Sequence, residues 1–208
     1  MILGIDTSGD TCYVALIDAA AGNIACRQFS HNRQLIEQLP ATIEKFLASN
    51  GAAMTDIECL VCGTGPGSFT GVRVGVMYAK TLAFALEKPV IGVSSFDAAA
   101  YEDISLNRVV VCTSKRNEVI ASAFPANATS PSVGPIAVSI SDWDAWLAEY
   151  LPQTERIIGK GIDTARETVA NIALGACLLA EPLMAEGRLS DIDTLIPHYV
   201  ASSPGGGM

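Results

Sequence analysis

Charged residues are scarce in this sequence: they make up 17% of its 208 residues, against 50% apolar. That balance excludes a solvated, disordered chain and predicts a packed core in one large domain or two small ones. Long apolar runs are also missing. No stretch approaches the roughly 18–20 residues of a membrane span. No basic residue precedes the apolar start Met1-Ile2-Leu3, as one would in a signal peptide. A cytoplasmic protein is the expectation, with no membrane partner. Basic residues are outnumbered, 13 Lys and Arg against 22 Asp and Glu, for a formal net charge of −9. An acidic chain repels a phosphodiester backbone, so any RNA chemistry it serves would leave most of the RNA to a partner.

The usual catalytic signatures are missing as well. There are two histidines, His31 and His198, and neither has a partner at helical ligand spacing. HExxH and GxSxG do not occur. His31, near the start of a predicted helix, reads as a solvated residue and not a base. The six cysteines, Cys12, Cys26, Cys59, Cys62, Cys112 and Cys177, fall mostly in apolar stretches and read as buried free thiols. Cys59 and Cys62 have CxxC spacing, but no second pair follows. Residues three apart on a strand also point to opposite faces. No metal site is expected there.

What is present is an alternation of strands and helices. Ile2–Asp6, Thr11–Asp18 and Asn23–Ser30 read as three successive strands. Leu35, Ile36, Leu39, Ile43, Phe46 and Leu47 recur at helical spacing, which predicts a helix over about 32–50, with a kink or offset start at Pro40. A buried strand at 57–63, a helix at 70–86, a strand at 90–93 and a helix capped by Ser94 or Ser95 follow. The pattern then restarts, with strands near 108–113, 118–124, 136–139 and 156–158. Helices are expected at 143–150 and from about 164 to 186, where Pro182 should break the last turns. Each half thus reads as strands first, then alternating helix and strand. The expected division is 1–103, 104–201 and a flexible tail over 202–208.

Two loops could carry chemistry. The first is Asp6-Thr7-Ser8-Gly9-Asp10-Thr11, between two strands. Such a turn can aim N–H groups at a phosphate, and its carboxylate could hold hydrated Mg²⁺. It is equally an ordinary hairpin turn, since Asp, Ser and Gly are what turns use. The second runs from Gly65 to Gly75 and joins a strand to a helix, with Gly65, Gly67, Ser68 and Thr70 at the bend. Glycines let a backbone approach a ligand, and a helix N-terminus favours an anion. No Lys-Ser or Lys-Thr closes it as in a Walker loop, and GxGxxG is not formed. A helix cap with packing glycines is the plain alternative.

Taken together, Ile5-Asp6-Thr7-Ser8, Val14-Ala15-Leu16, the segment Gly65-Pro66-Gly67-Ser68-Phe69-Thr70-Gly71-Val72-Arg73 and Pro89-Val90-Ile91-Gly92-Val93-Ser94 resemble the TsaB (YeaZ) family. The resemblance covers about residues 1–100 and fades afterwards. Where the family has Asp-Ala-Arg-x-Gly-Glu-Val-Tyr, this chain has Thr113-Ser114-Lys115-Arg116-Asn117-Glu118-Val119-Ile120. Near the end, Pro197-His198-Tyr199-Val200-Ala201 lacks the family's arginine.

The resemblance implies a duplicated α/β fold like that of actin, hexokinase and Hsp70, with a reduced second half. It implies a non-catalytic accessory subunit that docks on TsaD, the transferase making N6-threonylcarbamoyladenosine at position 37 of tRNA. A TsaE-type ATPase completes that assembly, a homodimer forms when the subunit is alone, and tRNA is met only indirectly. Any ATP or ADP with Mg would sit at or near the partner interface, with Asp6, Thr7, Ser8 and Gly9 as the phosphate-binding candidates. The competing function is an ATP-dependent small-molecule kinase of the same superfold, which would need a second phosphate loop and a catalytic carboxylate.

Spacing adds one further expectation. Gly71, Gly75, Ala79 and Ala83 recur every four residues and share one helix face. That smooth face would admit another helix, either one of this chain's own elements or a partner's. Arg73, Met77 and Lys80 form a mixed edge beside it. The resemblance implies that this helix and the preceding one, through Leu35 and Leu39, meet TsaD.

Overall fold

The structure, a computed structural model, describes residues 1–30, 34–163, 165 and 171–201. His31, the start of the helix expected from 164 and the tail at 202–208 therefore lie outside the described residues. Three strands open the chain: β1 (Ile2–Asp6), β2 (Thr11–Asp18) and β3 (Asn23–Ser30). They pair antiparallel in sequence order. β4 (Cys59–Gly63) and β5 (Val90–Val93) then add in parallel beyond β1. The sheet order is β3-β2-β1-β4-β5.

The second half repeats this plan with one strand fewer. β6 (Arg108–Lys115), β7 (Glu118–Phe124), β8 (Val133–Ser139) and β9 (Arg156–Gly159) run in the order β8-β7-β6-β9. β6 takes the place of β1, and β9 pairs with it in parallel as β4 does with β1. This is the duplicated α/β architecture with a reduced second half that the sequence led us to expect.

Strand alternation explains the layers. Leu3, Ile5, Val14, Leu16, Leu60 and Cys62 point to one side of the first sheet, against α1 (Leu35–Ser49) and α2 (Phe69–Leu86). Ile2, Ala15, Ile17, Cys59, Val61 and Ile91 point to the other. There they meet α5 (Ile172–Ala185) and Ala98 of α3 (Ser95–Ala100). Cys59 and Cys62 accordingly lie on opposite faces. α3 turns Phe96, Ala99 and Ala100 to the second sheet, against Val110, Phe124 and Ile158. The outer face of that sheet is covered by Trp143 and Trp146 of α4 (Trp143–Tyr150). α3 and α5 are thus the layer between the sheets.

One local expectation needs correction, and one open alternative is resolved. Pro182 does not break the last helix; it lies inside α5, which continues to Ala185. One missing N–H is outweighed by the burial of Ala173, Ala176, Cys177 and Ala180 against the first sheet. Of the two serines offered as the α3 cap, Ser94 takes the role, accepting from the Asp97 N–H at 3.3 Å, while Ser95 is buried.

Candidate functional site

The two loops singled out in the sequence meet in space, and they meet by gripping each other. Asp6 ends β1 fully buried. Its Oδ1 accepts from the Ser8 N–H at 2.9 Å and the Ser8 hydroxyl at 2.7 Å. Its Oδ2 accepts from the Ser95 hydroxyl at 2.6 Å. Burial raises the Asp6 carboxyl above the ordinary carboxylate range, and these bonds only partly oppose that rise. Thr7 donates its hydroxyl to the Gly71 carbonyl at 2.7 Å.

The Gly-rich loop is tied down in the same way. The Gly65 N–H donates to Ser95 Oγ at 3.0 Å, and the Ser68 N–H to the Ser8 carbonyl at 2.6 Å. Ser68 caps α2 by accepting from the Gly71 N–H at 3.2 Å. The glycines are needed for this closeness. A β-carbon on Gly67 would stand 2.2 Å from the Ser8 carbonyl oxygen, and one on Gly71 2.1 Å from that of Thr7. Gly65 also adopts a φ of +89°, which favours glycine.

This arrangement corrects the phosphate reading at Asp6, Thr7 and Gly65. Asp6 and Thr7 are sealed beneath the turn, with their oxygens occupied by Ser8, Ser95 and Gly71. The N–H groups of Gly65 and Ser68 are bonded within the chain. Ser8, Gly9, Gly67 and Ser68 do line a cleft of about 280 Å³, together with Asp10, Tyr13, Phe96 and Lys160. Thr70 is exposed on the first turn of α2 and is not part of its wall. Across the cleft mouth Lys160 faces Asp10 at 3.8 Å, both solvent-exposed. Among the described residues, no group of three or more His, Cys, Asp or Glu side chains is placed to hold a metal ion.

The small-residue stripe belongs to the chain's own core. Gly71, Gly75, Ala79 and Ala83 are all buried, and a β-carbon on Gly75 would meet the Thr7 hydroxyl. Leu35 and Leu39 of α1 are buried in the same cluster as Ala79 and Ala83. These six residues cannot present themselves to a partner while the fold is intact, because the first sheet and α1 already occupy that side. Of the interface candidates, Arg73 and Met77 are exposed and Lys80 is half-buried.

The outward face of α2 adds Phe69 and Phe84 to the mixed edge of Arg73, Met77 and Lys80 expected from the sequence. Phe69, Arg73, Met77, Lys80 and Phe84 follow at steps of four, four, three and four, so all five lie on one face. Phe69, Met77 and Phe84 leave 56%, 64% and 79% of their surface in solvent. Ile36 on α1, and Ile196 and Tyr199 after α5, add further exposed apolar area. The spacing of the large residues carries this signal in the sequence, beside the more regular small-residue stripe.

The family model described as TsaD, tRNA N6-adenosine threonylcarbamoyltransferase, matches residues 29–173. Two curated relatives carry the name tRNA threonylcarbamoyladenosine biosynthesis protein TsaB. That of Escherichia coli K12 is 39% identical over 45% of this chain and 40% of its own length. That of Bacillus subtilis 168 is 27% identical over 96% of this chain and 93% of its own. The chain belongs to this family, on its TsaB (YeaZ) branch. The chain thus matches less than half the length of the first relative and nearly all of the second. A solved structure of YeaZ from Pseudomonas aeruginosa superposes with a TM-score of 0.71 at 22% identity, covering 95% of this chain and 98% of that one. That likeness shows the fold. Among the described residues, no helix is long and apolar enough to cross a membrane.

Proposed function

We propose that this chain is a non-catalytic accessory subunit for N6-threonylcarbamoyladenosine formation in tRNA, and that it works by docking on a TsaD-type transferase through α1 and α2. One observation carries the reading: the outward face of α2 sets Phe69, Met77 and Phe84 in solvent. Exposed apolar patches of this kind mark interaction surfaces. Docking would remove Phe84 and Met77 from water, worth roughly 25 cal/mol for each Å² of apolar area. The names of the relatives supply the pathway, and the match to the transferase family model supports a like-folded partner.

The non-catalytic part is supported by the state of Asp6. Its two oxygens already accept three hydrogen bonds within the fold. Buried and satisfied, it is poorly placed to hold a metal or take a proton from a substrate in the cleft. A TsaE-type ATPase would join the assembly, and a homodimer would use the same face when the transferase is absent. Nucleotide with Mg²⁺, if the assembly takes it, would lie at the partner junction near Ser8 and Gly9, the two of the four phosphate candidates that line the cleft. A net charge of −9 supports leaving tRNA mainly to the partner.

Reconstitution tests this reading. The organism's TsaD-type and TsaE-type proteins, ATP, the threonylcarbamoyl donor and tRNA are combined with and without this chain. The expected result is modified tRNA only when the chain is present. Equal modification without it, or metal-dependent modification by the chain alone, would sink the proposal.

A further inference from the structure

We propose that Arg73 is an anchor that receives a carboxylate from the TsaD-type subunit, and that Tyr199 is its positioning residue. This rests on the docking reading above and adds the chemistry that the partner must bring. The segment after α5 returns across the first half of the molecule as a strap. The Ser190 N–H donates to the Val90 carbonyl at 3.0 Å, and the Gly92 N–H to Ser190 Oγ at 3.0 Å. Leu195 is buried against Gly92. The His198 N–H donates to the Thr64 carbonyl at 2.7 Å. These ties fix the strap beside the Gly-rich loop and deliver Tyr199 to the first turns of α2.

There Tyr199 and Phe69 hold the Arg73 side chain from two directions. The guanidinium carbon lies 3.8 Å from the centre of the Phe69 ring. Its Nε donates to the Tyr199 hydroxyl at 2.6 Å. The two rings are 5.1 Å apart. A guanidinium presents its N–H groups in a rigid planar fork. Here Nε is engaged, and the two terminal nitrogens have no hydrogen-bond partner among the described residues. Although the chain has 22 acidic side chains, none of the described ones forms an ion pair with Arg73. The side chain is therefore ordered in advance with its terminal donors unused. That lowers the entropy cost of binding. Tyr, Phe and Arg clustered on one exposed surface are also the residue types that dominate interface energetics.

A carboxylate fits this fork bidentately. A phosphate from tRNA fits less well, because backbone binding draws on several cations at once. The neighbouring cation Lys80 is turned to the strap instead, donating to the Leu195 carbonyl at 3.0 Å. Phe69 lies against the fork and exposed Met77 follows one turn later on the same helix face, which suits a protein surface with one acidic group at its centre.

The test is calorimetric titration of the organism's TsaD-type subunit into this chain at two salt concentrations. Wild type is compared with Arg73→Gln, Arg73→Lys and Tyr199→Phe, each checked by thermal melting. Arg73→Gln should weaken binding by about 10- to 100-fold and flatten its salt dependence. Arg73→Lys should recover only part of the loss, because an ammonium lacks the planar fork. Tyr199→Phe keeps the ring and releases Nε; it should weaken binding by about 3- to 10-fold with the melting temperature unchanged. Wild-type affinity in Arg73→Gln and Tyr199→Phe overturns the anchor and leaves the docking reading standing. Normal subunit binding with weakened tRNA binding by the assembled complex assigns Arg73 to RNA, which also overturns it. No binding by wild type removes the docking reading and the anchor together.

Discussion

Gly75 in α2 lies so close to Thr7, just after β1, that a β-carbon on it would stand 2.2 Å from the Thr7 hydroxyl oxygen. The contact explains why the small-residue stripe exists: it lets α2 settle onto the first sheet where the chain turns after β1. Gly75→Ala should therefore destabilise the fold by about 1–3 kcal/mol through overpacking. Met77→Glu, on the opposite face, should change stability by less than about 0.5 kcal/mol. Urea unfolding of both variants checks the pair. Equal stability of Gly75→Ala and wild type would show that the stripe is not packed as described.

Asp6 gives a pH prediction with a definite sign. Burial raises its carboxyl pKa in the folded state, so folding favours the protonated form. The stability that this group contributes is present below its unfolded pKa and is lost as pH rises through its folded pKa. Asp6→Asn keeps the shape, can still accept from Ser8, and should remove that part of the pH dependence. Asp6→Ala leaves the Ser8 and Ser95 donors unmatched and should cost about 1–3 kcal/mol. Melting temperatures from acid to neutral pH for the three proteins provide the check. The same slope in Asp6→Asn as in wild type would contradict the assignment.

The thiols should be strongly unequal. Burial pushes Cys12 and Cys62 up to about 12, and Cys59 and Cys112 to about 11. Burial raises the Cys177 thiol as well. Cys26 on the edge strand β3 is the exposed one. At neutral pH a thiol reagent should label Cys26 of the native protein first, the half-buried Cys112 more slowly, and the four buried cysteines only on unfolding. Rapid native labelling of several cysteines would show that the sheet core opens readily.

Arg108 is a buried cation whose guanidinium reaches five main-chain carbonyls, those of Ala100, Ile104, Leu106, Pro125 and Ala128. It fastens the segment linking the two halves to the loop after β7. Arg108→Met should cost about 3–5 kcal/mol, because it leaves these carbonyls without their donor. Denaturant unfolding measures it. A loss below about 1 kcal/mol would mean that water replaces the guanidinium at little cost.

Much of the fold was legible because its strands and helices carry clean periodicity. Leu3 and Ile5 alternate with Ile2 and Gly4, and the same alternation separates Cys59 from Cys62. The α5 boundary was less legible, since apolar residues surround Pro182 and the signal there is composition more than period. For the site, the sequence located both loops but not their mutual contact. Ser95, 89 positions from Asp6, pins its carboxylate, and no local pattern announces such a pair. Tyr199 and Arg73 are 126 positions apart and were hidden for the same reason. Regular spacing identified the stripe, but it did not say which side of α2 faces the sheet.

The measurement that bears most directly on the account is the affinity of this chain for the TsaD-type subunit, with wild type beside Phe84→Glu. Phe84 is the most exposed large apolar residue on α2 and lies away from both loops. Its replacement should leave the melting temperature in place. Wild type should bind saturably and Phe84→Glu at least about 100-fold more weakly, since a charge buried in an apolar contact has no partner. Absence of wild-type binding, or the same binding curve for both proteins, would contradict it.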